Sequence, residues 1–315
     1  MKISGPAREI IGKWSGEQQR RLEMRLTAAD HPRTAELRAF SRWLAGSCEM
    51  VTVSEVETSA NDLPALSLRQ GSIVYRAVPA GPELVPFLEA LAGDGAGDGR
   101  FRAAALRIYV AAACPHCPAA VRALLPLVVP GGPVTLEVID SEACDDLARA
   151  DRIKSVPTLI LDGDFRWTGS ARPGDLEAML APGDRVFLGA DVLERLLENG
   201  NAGPLSRMMI DAGEASPALC TLLAGEAMSV RLGAMMVMEE LLLRAPALVE
   251  LLVPDLQDNF AGAPEPAQGD MLYILGEAGP PELAGDIEAL LRTGLHPEVE
   301  EAAREALDRL AERHQ

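Results

Sequence analysis

The sequence predicts an α/β region built from two successive units, followed by an all-helical repeat region. Three observations carry this. Short apolar or alternating runs of strand length exchange with helical patterns as far as about residue 180. From about Asp191 onward the periodicity is almost wholly helical. The composition breaks twice, at the Gly-rich stretch Gly93 to Gly99 and at Ala181 to Asp184. The expected domains are therefore 1–95, 100–182 and 190–315.

In the first unit, Leu22, Met24 and Leu26 alternate with polar residues as a half-buried strand does. Thr34 to Ala45 reads as a helix, Val51 to Val56 and Ser72 to Val78 as strands, Pro64 to Leu68 as a further strand, and Glu83 to Leu91 as a helix. In the second unit, Leu106 to Val110 is a short apolar strand and Pro115 to Val128 is helical. Val134 to Ile139 alternates, and Glu142 to Ile153 is helical. Thr158 to Leu161 and Phe165 to Trp167 form a hairpin across Asp162-Gly163, and Pro173 to Leu180 closes with a helix.

In the last region, helical runs beginning at Val230, Ala267 and Val299 are 37 and 32 residues apart. Pro246, Pro254, Pro264, Pro280, Pro281 and Pro297 punctuate them. Such spacing marks an α-solenoid, in which each helical unit buries its apolar face on the next; the alternative is an ordinary helical bundle. The run Met235 to Met238 reads as core of this region, with an adaptable partner surface as the second possibility.

The 315 residues are 48% hydrophobic with only 4% aromatics, so the cores must rest on aliphatic side chains. The formal net charge of −18 argues against nucleic acid and against anionic membranes, both of which need Lys and Arg. No run of 18 apolar residues is present, so no membrane span is expected. Met1 to Trp14 lacks the apolar stretch of a signal peptide, which makes the cytoplasm the expected compartment. Five cysteines, Cys48, Cys114, Cys117, Cys144 and Cys220, are odd in number, and only one pair is close. That pattern suits a reducing compartment with one working dithiol.

Cys114-Pro115-His116-Cys117 closely follows a predicted strand and opens a helix. At a helix start, free backbone N–H groups and the macrodipole stabilise a thiolate on Cys114. Pro115 is tolerated there because its missing N–H costs little. A protonated His116 adds a positive charge that favours the same thiolate. The other reading of such a pair is half of a zinc site, which needs two more ligands; Cys144, Cys220, His31 and His296 lie in unrelated contexts, so no metal is expected. Cys144, among Glu142, Asp145 and Asp146, reads as structural because carboxylates raise a thiol pKa. Cys48 and Cys220 read as small core residues, and Trp14, Trp43 and Trp167 as core or half-buried.

With the dithiol, Ser155-Val156-Pro157-Thr158 completes a resemblance to thioredoxin-fold proteins, Pro157 lying 43 residues beyond Cys114. The resemblance implies a cis Pro157 beside the sulfurs and a Val156 backbone offered to substrate; the alternative is a trans proline opening an edge strand. Two such halves in tandem resemble the N-terminal domain of the alkyl hydroperoxide reductase flavoprotein and the glutaredoxin-like protein disulfide oxidoreductases. In the first half, Asp30-His31-Pro32-Arg33 stands at the active turn without either cysteine, and Asp30 reads as a helix N-cap. The fold class is thus α/β thioredoxin-like, in two tandem units, followed by an all-α solenoid that resembles HEAT repeats.

The pattern departs from thioredoxin in two places. Ile108 stands where thioredoxin carries a buried acid, and Ala113 where it carries a Trp before the dithiol. The resemblance implies a thiol–disulfide oxidoreductase with no cofactor, in which Cys114, Cys117 and Pro157 are catalytic, Pro115 and His116 tune the thiolate, and Val156 binds substrate. Its partners would be protein disulfide substrates, an upstream reductase or dithiol donor, and a protein held by the helical repeats. A second reading makes the chain a redox-sensitive adaptor in which the helical repeats are the functional part. The direction of electron flow is left open by the sequence.

Overall fold

The computed structural model describes residues 4–58, 62–93, 101–183 and 185–313, so all of the Gly-rich linker except Gly93 lies outside the described residues. The chain divides into two compact units, Met1–Pro182 and Gly183–Gln315.

The first unit runs α1 (Gly5–Glu17), β1 (Leu22–Ala28), α2 (Pro32–Ser47), β2 (Val51–Glu57), β3 (Ala65–Leu68), β4 (Ile73–Arg76) and α3 (Leu84–Ala92). It continues with β5 (Ala104–Val110), α4 (Cys117–Leu124), β6 (Val134–Asp140), α5 (Asp145–Ala150), β7 (Thr158–Leu161), β8 (Phe165–Thr168) and α6 (Pro173–Leu180). Helix α1 is an addition to the elements expected from sequence. Its start has ordinary signals: the Ser4 hydroxyl accepts from the Ala7 N–H at 3.3 Å, and Pro6 occupies the first turn. The N-cap of α2 is His31 and not Asp30. The His31 ring accepts from the Arg33 N–H at 3.2 Å, which leaves Asp30 exposed.

One continuous eight-stranded sheet carries both halves, in the order β2-β1-β3-β4-β6-β5-β7-β8. Within each half the strand pairings repeat: the first strand pairs parallel with the second and antiparallel with the third, and the third pairs antiparallel with the fourth. The halves are joined by parallel pairing of β4 with β6, from Ile73 opposite Leu136 to Arg76 opposite Ile139. The same register sets Tyr75, Val138, Ile108 and Leu159 side by side in one row. Because side chains alternate between faces along a strand, the whole row points to one side. There Tyr75 meets Phe87 of α3 at 5.0 Å between ring centroids, and Phe87 meets Phe40 of α2 at 5.3 Å. The next residues along, Tyr109 and Ile139, point the other way and are buried with Ile160 under Cys144 and Ala148 of the α5 segment.

Arg69 ties α3 to the stretch after α4. Its buried guanidinium donates to the carbonyls of Ala90 at 2.9 Å, Leu125 at 3.0 Å and Val128 at 2.6 Å. Charge-assisted bonds to three carbonyls fix the helix that carries the dithiol against the other half of the sheet.

The second unit comprises α7 (Ala190–Glu198), α8 (Ala202–Ala212), α9 (Ala218–Leu223), α10 (Met228–Arg244), α11 (Pro246–Glu250), α12 (Val253–Phe260), α13 (Glu265–Ala278), α14 (Leu283–Leu291) and α15 (Pro297–Arg313). The longer helices pack in succession, α8 on α10, α10 on α13 and α13 on α15. Gly276 makes the last contact possible, since a Cβ there would sit 2.9 Å from Ala306 Cα. No helix among the described residues is long and apolar enough to cross a membrane.

Candidate active site

The dithiol lies in the turn between β5 and α4. Ala111 accepts from the Cys114 N–H at 3.0 Å, which closes the turn leaving β5. Helix α4 begins at Cys117, so Cys114, Pro115 and His116 precede it and do not form its first turn as expected from sequence. It ends at Leu124 and passes into a 3-10 turn at Leu125–Leu127, short of the expected Val128. The two sulfurs are joined in a disulfide, with Cα atoms 5.6 Å apart. Cys117 is fully buried, Cys114 half-exposed, and Pro115 and His116 exposed. The Cys117 backbone N–H, one of the free donors at the start of α4, points at Cys114 Sγ from 3.1 Å.

Opposite the dithiol stands the Val156–Pro157 peptide, which is cis. The Val156 carbonyl oxygen is 3.8 Å from Cys114 Sγ. The Thr158 hydroxyl donates to the Ser155 carbonyl at 2.8 Å, and the Gly169 N–H donates to that of Pro157 at 2.8 Å. Buried Pro157 is thus braced from both sides, while Val156 keeps part of its surface open. Cys114, Cys117, Val156 and Pro157 therefore share one place, with Pro115 and His116 at its rim.

The other cysteines are apart from it. Cys48, Cys144 and Cys220 are free and buried. Burial pushes the Cys144 thiol up, with a smaller contribution from the charge of Asp140. The expected cause, the acids of its own helix, is not the operative one, because Cys144 caps the start of α5 and its side chain turns inward beside Arg33 and Asp140. Burial likewise pushes the Cys220 thiol up to about 12. At the matching turn of the first half, Arg33 pairs with Asp140 at 3.0 Å. Among the described residues no cluster of three or more His, Cys, Asp or Glu is placed to hold a metal ion.

One buried residue that sequence reasoning missed lies in a turn packed against α4, the helix that Cys117 begins. Glu83 ends a 3-10 turn, Gly81–Glu83, that packs against α4. It is 4% exposed, and neither carboxylate oxygen has a hydrogen-bond partner among the described residues. Burial raises its carboxyl to about 7. The nearby Tyr75 hydroxyl is also buried without a partner among the described residues, and burial, then the charge of Glu83, raises it well above the usual phenol range. Ile108, in the position of the absent acid, is buried in the same row as Tyr75. In sequence, Pro82-Glu83 reads as an ordinary acidic first turn of a helix. Its turn packs against α4, more than 30 residues away, which no local pattern reveals.

The exposures predict chemical selectivity. In the reduced protein, iodoacetamide at neutral pH is expected to modify Cys114 and spare Cys117, Cys48, Cys144 and Cys220, as read by peptide mass mapping. A reaction needs access and thiolate character, and Cys114 alone of the five cysteines is not buried. Preferential labelling of Cys117 would reverse the assignment of roles.

A thioredoxin-domain family model matches residues 105–181. Among solved structures, a protein disulfide oxidoreductase from Aeropyrum pernix K1 is similar with a TM-score of 0.50 at 15% identity, over 57% of this chain and 93% of that one. An alkylhydroperoxide reductase chain from Enterococcus faecalis is similar with a TM-score of 0.50 at 17% identity, over 57% of this chain and 100% of that one. No curated protein sequence gave a significant match. At these identities the likeness is one of fold. The chain holds a thioredoxin-like α/β region with a Cys114–Cys117 pair, followed by a helix-rich C-terminal part.

Proposed function

We propose that this chain is a thiol–disulfide oxidoreductase that exchanges disulfides with protein substrates through Cys114 and Cys117. The observation that carries the reading is the half-exposed Cys114 sulfur, set between the Cys117 N–H at 3.1 Å and the cis-proline segment at 3.8 Å. The Cys114 thiolate attacks one sulfur of a substrate disulfide, whose S–S bond breaks and whose other sulfur leaves as a thiolate and takes up a proton. Cys117 then gives up its proton and attacks the Cys114 sulfur of the mixed disulfide. The substrate's second sulfur is released as a thiol, the substrate has gained two electrons, and the chain holds the Cys114–Cys117 disulfide. An upstream reductase or dithiol donor restores it. The open backbone of Val156 pairs with an extended substrate segment, and Pro157 holds that backbone at the sulfurs.

We assign the proton of Cys117 to Glu83, whose turn packs against the helix that Cys117 begins. A buried thiol needs a buried acceptor, and a carboxyl titrating near 7 gains and loses a proton readily at neutral pH. The acid that Ile108 lacks is thus supplied from the first half. On this reading the two halves of the sheet are tandem copies of one thioredoxin-like unit, of which the first has lost its dithiol and keeps a supporting role. The helices of 190–315 form a HEAT-like stack that recruits a protein partner, and the protein works in the cytoplasm. The reading is tested by turnover of an insulin disulfide with dithiothreitol as donor, where acceleration by the wild-type chain is expected and none would overturn it.

His116 sets the poise. Protonated, its charge adds to the field at the start of α4 and favours the Cys114 thiolate, hence the reduced form. Equilibration of His116→Gly against glutathione is expected to give a potential lower by some tens of millivolts, about 30 mV being a tenfold change in the equilibrium constant. An unchanged or higher potential would remove His116 from that role.

A further inference from the structure

Helix α10 is apolar on nearly every side, yet the chain buries only one face of it. Val230, Gly233, Ala234, Val237, Met238 and Leu241 point into the unit. Met228, Leu232, Met236 and Leu243 point out, at 72%, 60%, 55% and 79% exposure, with Met235 and Leu242 half-exposed beside them. At 100° per residue, positions 228, 232, 235, 236, 239, 242 and 243 fall on one side of a helix, so these side chains form an apolar stripe about 22 Å long with the exposed Glu239 near its middle. The expectation that the whole Met run is core fails at Met236 for this reason. A helix apolar all round is ordinarily buried all round, and a contiguous exposed apolar face marks a contact surface. Unbranched methionines suit it to a range of shapes.

The charge around the stripe selects the occupant. Residues 183–315 hold 24 acidic and nine basic residues, a formal −15 of the chain's −18, and no lysine. Arg195, Arg231, Arg244, Arg304, Arg309 and Arg313 already pair with acids of the same unit. Glu226 precedes the stripe and Glu239 interrupts it, both exposed. A second copy would bring together two units of formal charge −15 each, and an anionic bilayer would repel such a unit. We propose that the outer face of α10 docks a basic amphipathic helix of another protein, its apolar side along Met228, Leu232, Met236 and Leu243 and its Lys and Arg toward the surrounding acids. The proposal rests on the recruiting role given above to the helical unit and is independent of the dithiol chemistry.

Fluorescence anisotropy with the full chain tests it. The probe is a labelled Leu/Lys peptide of about 15 residues, without cysteine and amphipathic at helical spacing. A peptide of the same composition in scrambled order and a Leu/Glu peptide of the same pattern are the comparisons. The amphipathic Leu/Lys peptide is expected to bind at least about tenfold more tightly than either, and Leu232→Gln with Met236→Gln, neutral and exposed, to reduce its affinity to that of the scramble. Equal binding of the scramble would mean charge alone acts. Binding of the Leu/Glu peptide would remove the charge argument, and unchanged affinity in the double variant would place the contact elsewhere. Self-association of the wild-type chain lost in the double variant would make the occupant a second copy. Each of these overturns the proposal. Insulin reduction by the same samples reports separately on Cys114 and Cys117, so failure of the one reading is visible apart from the other.

Discussion

Cys117→Ser is expected to accumulate a mixed disulfide between Cys114 and its clients, stable on non-reducing gels, while Cys114→Ser forms none and loses turnover to the uncatalysed background. The asymmetry follows from the geometry. Cys117 is fully buried at the first position of α4, so no substrate sulfur reaches it. Cys114 has surface, and the Cys117 N–H directed at its sulfur favours the thiolate that attacks. With serine at 117 the first exchange proceeds and the second has no nucleophile, so the intermediate persists. The fold is not at stake, because serine is close to isosteric with cysteine, although burying its hydroxyl costs about 1–3 kcal/mol if it finds no partner. Trapping through Cys117 in the Cys114→Ser protein would invert the order of attack. Turnover that survives in Cys114→Ser would detach the activity from the dithiol.

Elements with a strong local signal were legible to the residue. Strand Thr158–Leu161 and helix Pro173–Leu180 have the bounds read from sequence, since a hairpin turn and an N-terminal proline mark their ends. The dithiol and Pro157 were legible because their residue types and spacing are rare outside this chemistry. What failed to show was non-local. Nothing in β4 announces that it pairs with β6, because the choice between a sheet edge and a joined sheet is made by tertiary packing. The overlong helix at Pro115 has a related cause: proline is acceptable as the first residue of a helix, whereas here the turn leaving β5 holds Cys114, Pro115 and His116 outside α4. The Met run of α10 shows the limit from the other side: composition makes a helix core on all faces, and only the packing of α8, α9 and α13 reveals which face is left over.

Glu83→Gln is expected to stabilise the protein at pH 8 and to slow it. Burial raises the Glu83 carboxyl from 4.5 to about 7, so the folded chain holds this proton more tightly than the unfolded chain does. A group of that kind stabilises the fold fully below its unfolded pKa, and the benefit is lost as pH rises toward the folded value. Stability should therefore fall between about pH 4.5 and pH 7 by up to ~3 kcal/mol through this residue alone, and stay level above that. Glutamine cannot ionise, so the difference between variant and wild type should be near zero at pH 4 and approach that figure at pH 8. Urea unfolding of both proteins in the oxidised state measures it without interference from the thiols. A difference that is flat with pH would mean that the carboxyl titrates as an exposed one does. On the role proposed for Glu83, the same substitution should slow resolution of a preformed Cys114 mixed disulfide by about tenfold or more at pH 7, general base catalysis being commonly worth that or greater. The two readouts together separate the roles. A merely structural Glu83 would give the stability gain with an unchanged rate. A proton acceptor would give a more stable and slower protein, because the buried carboxyl that destabilises the fold at neutral pH would then be the one the second exchange uses.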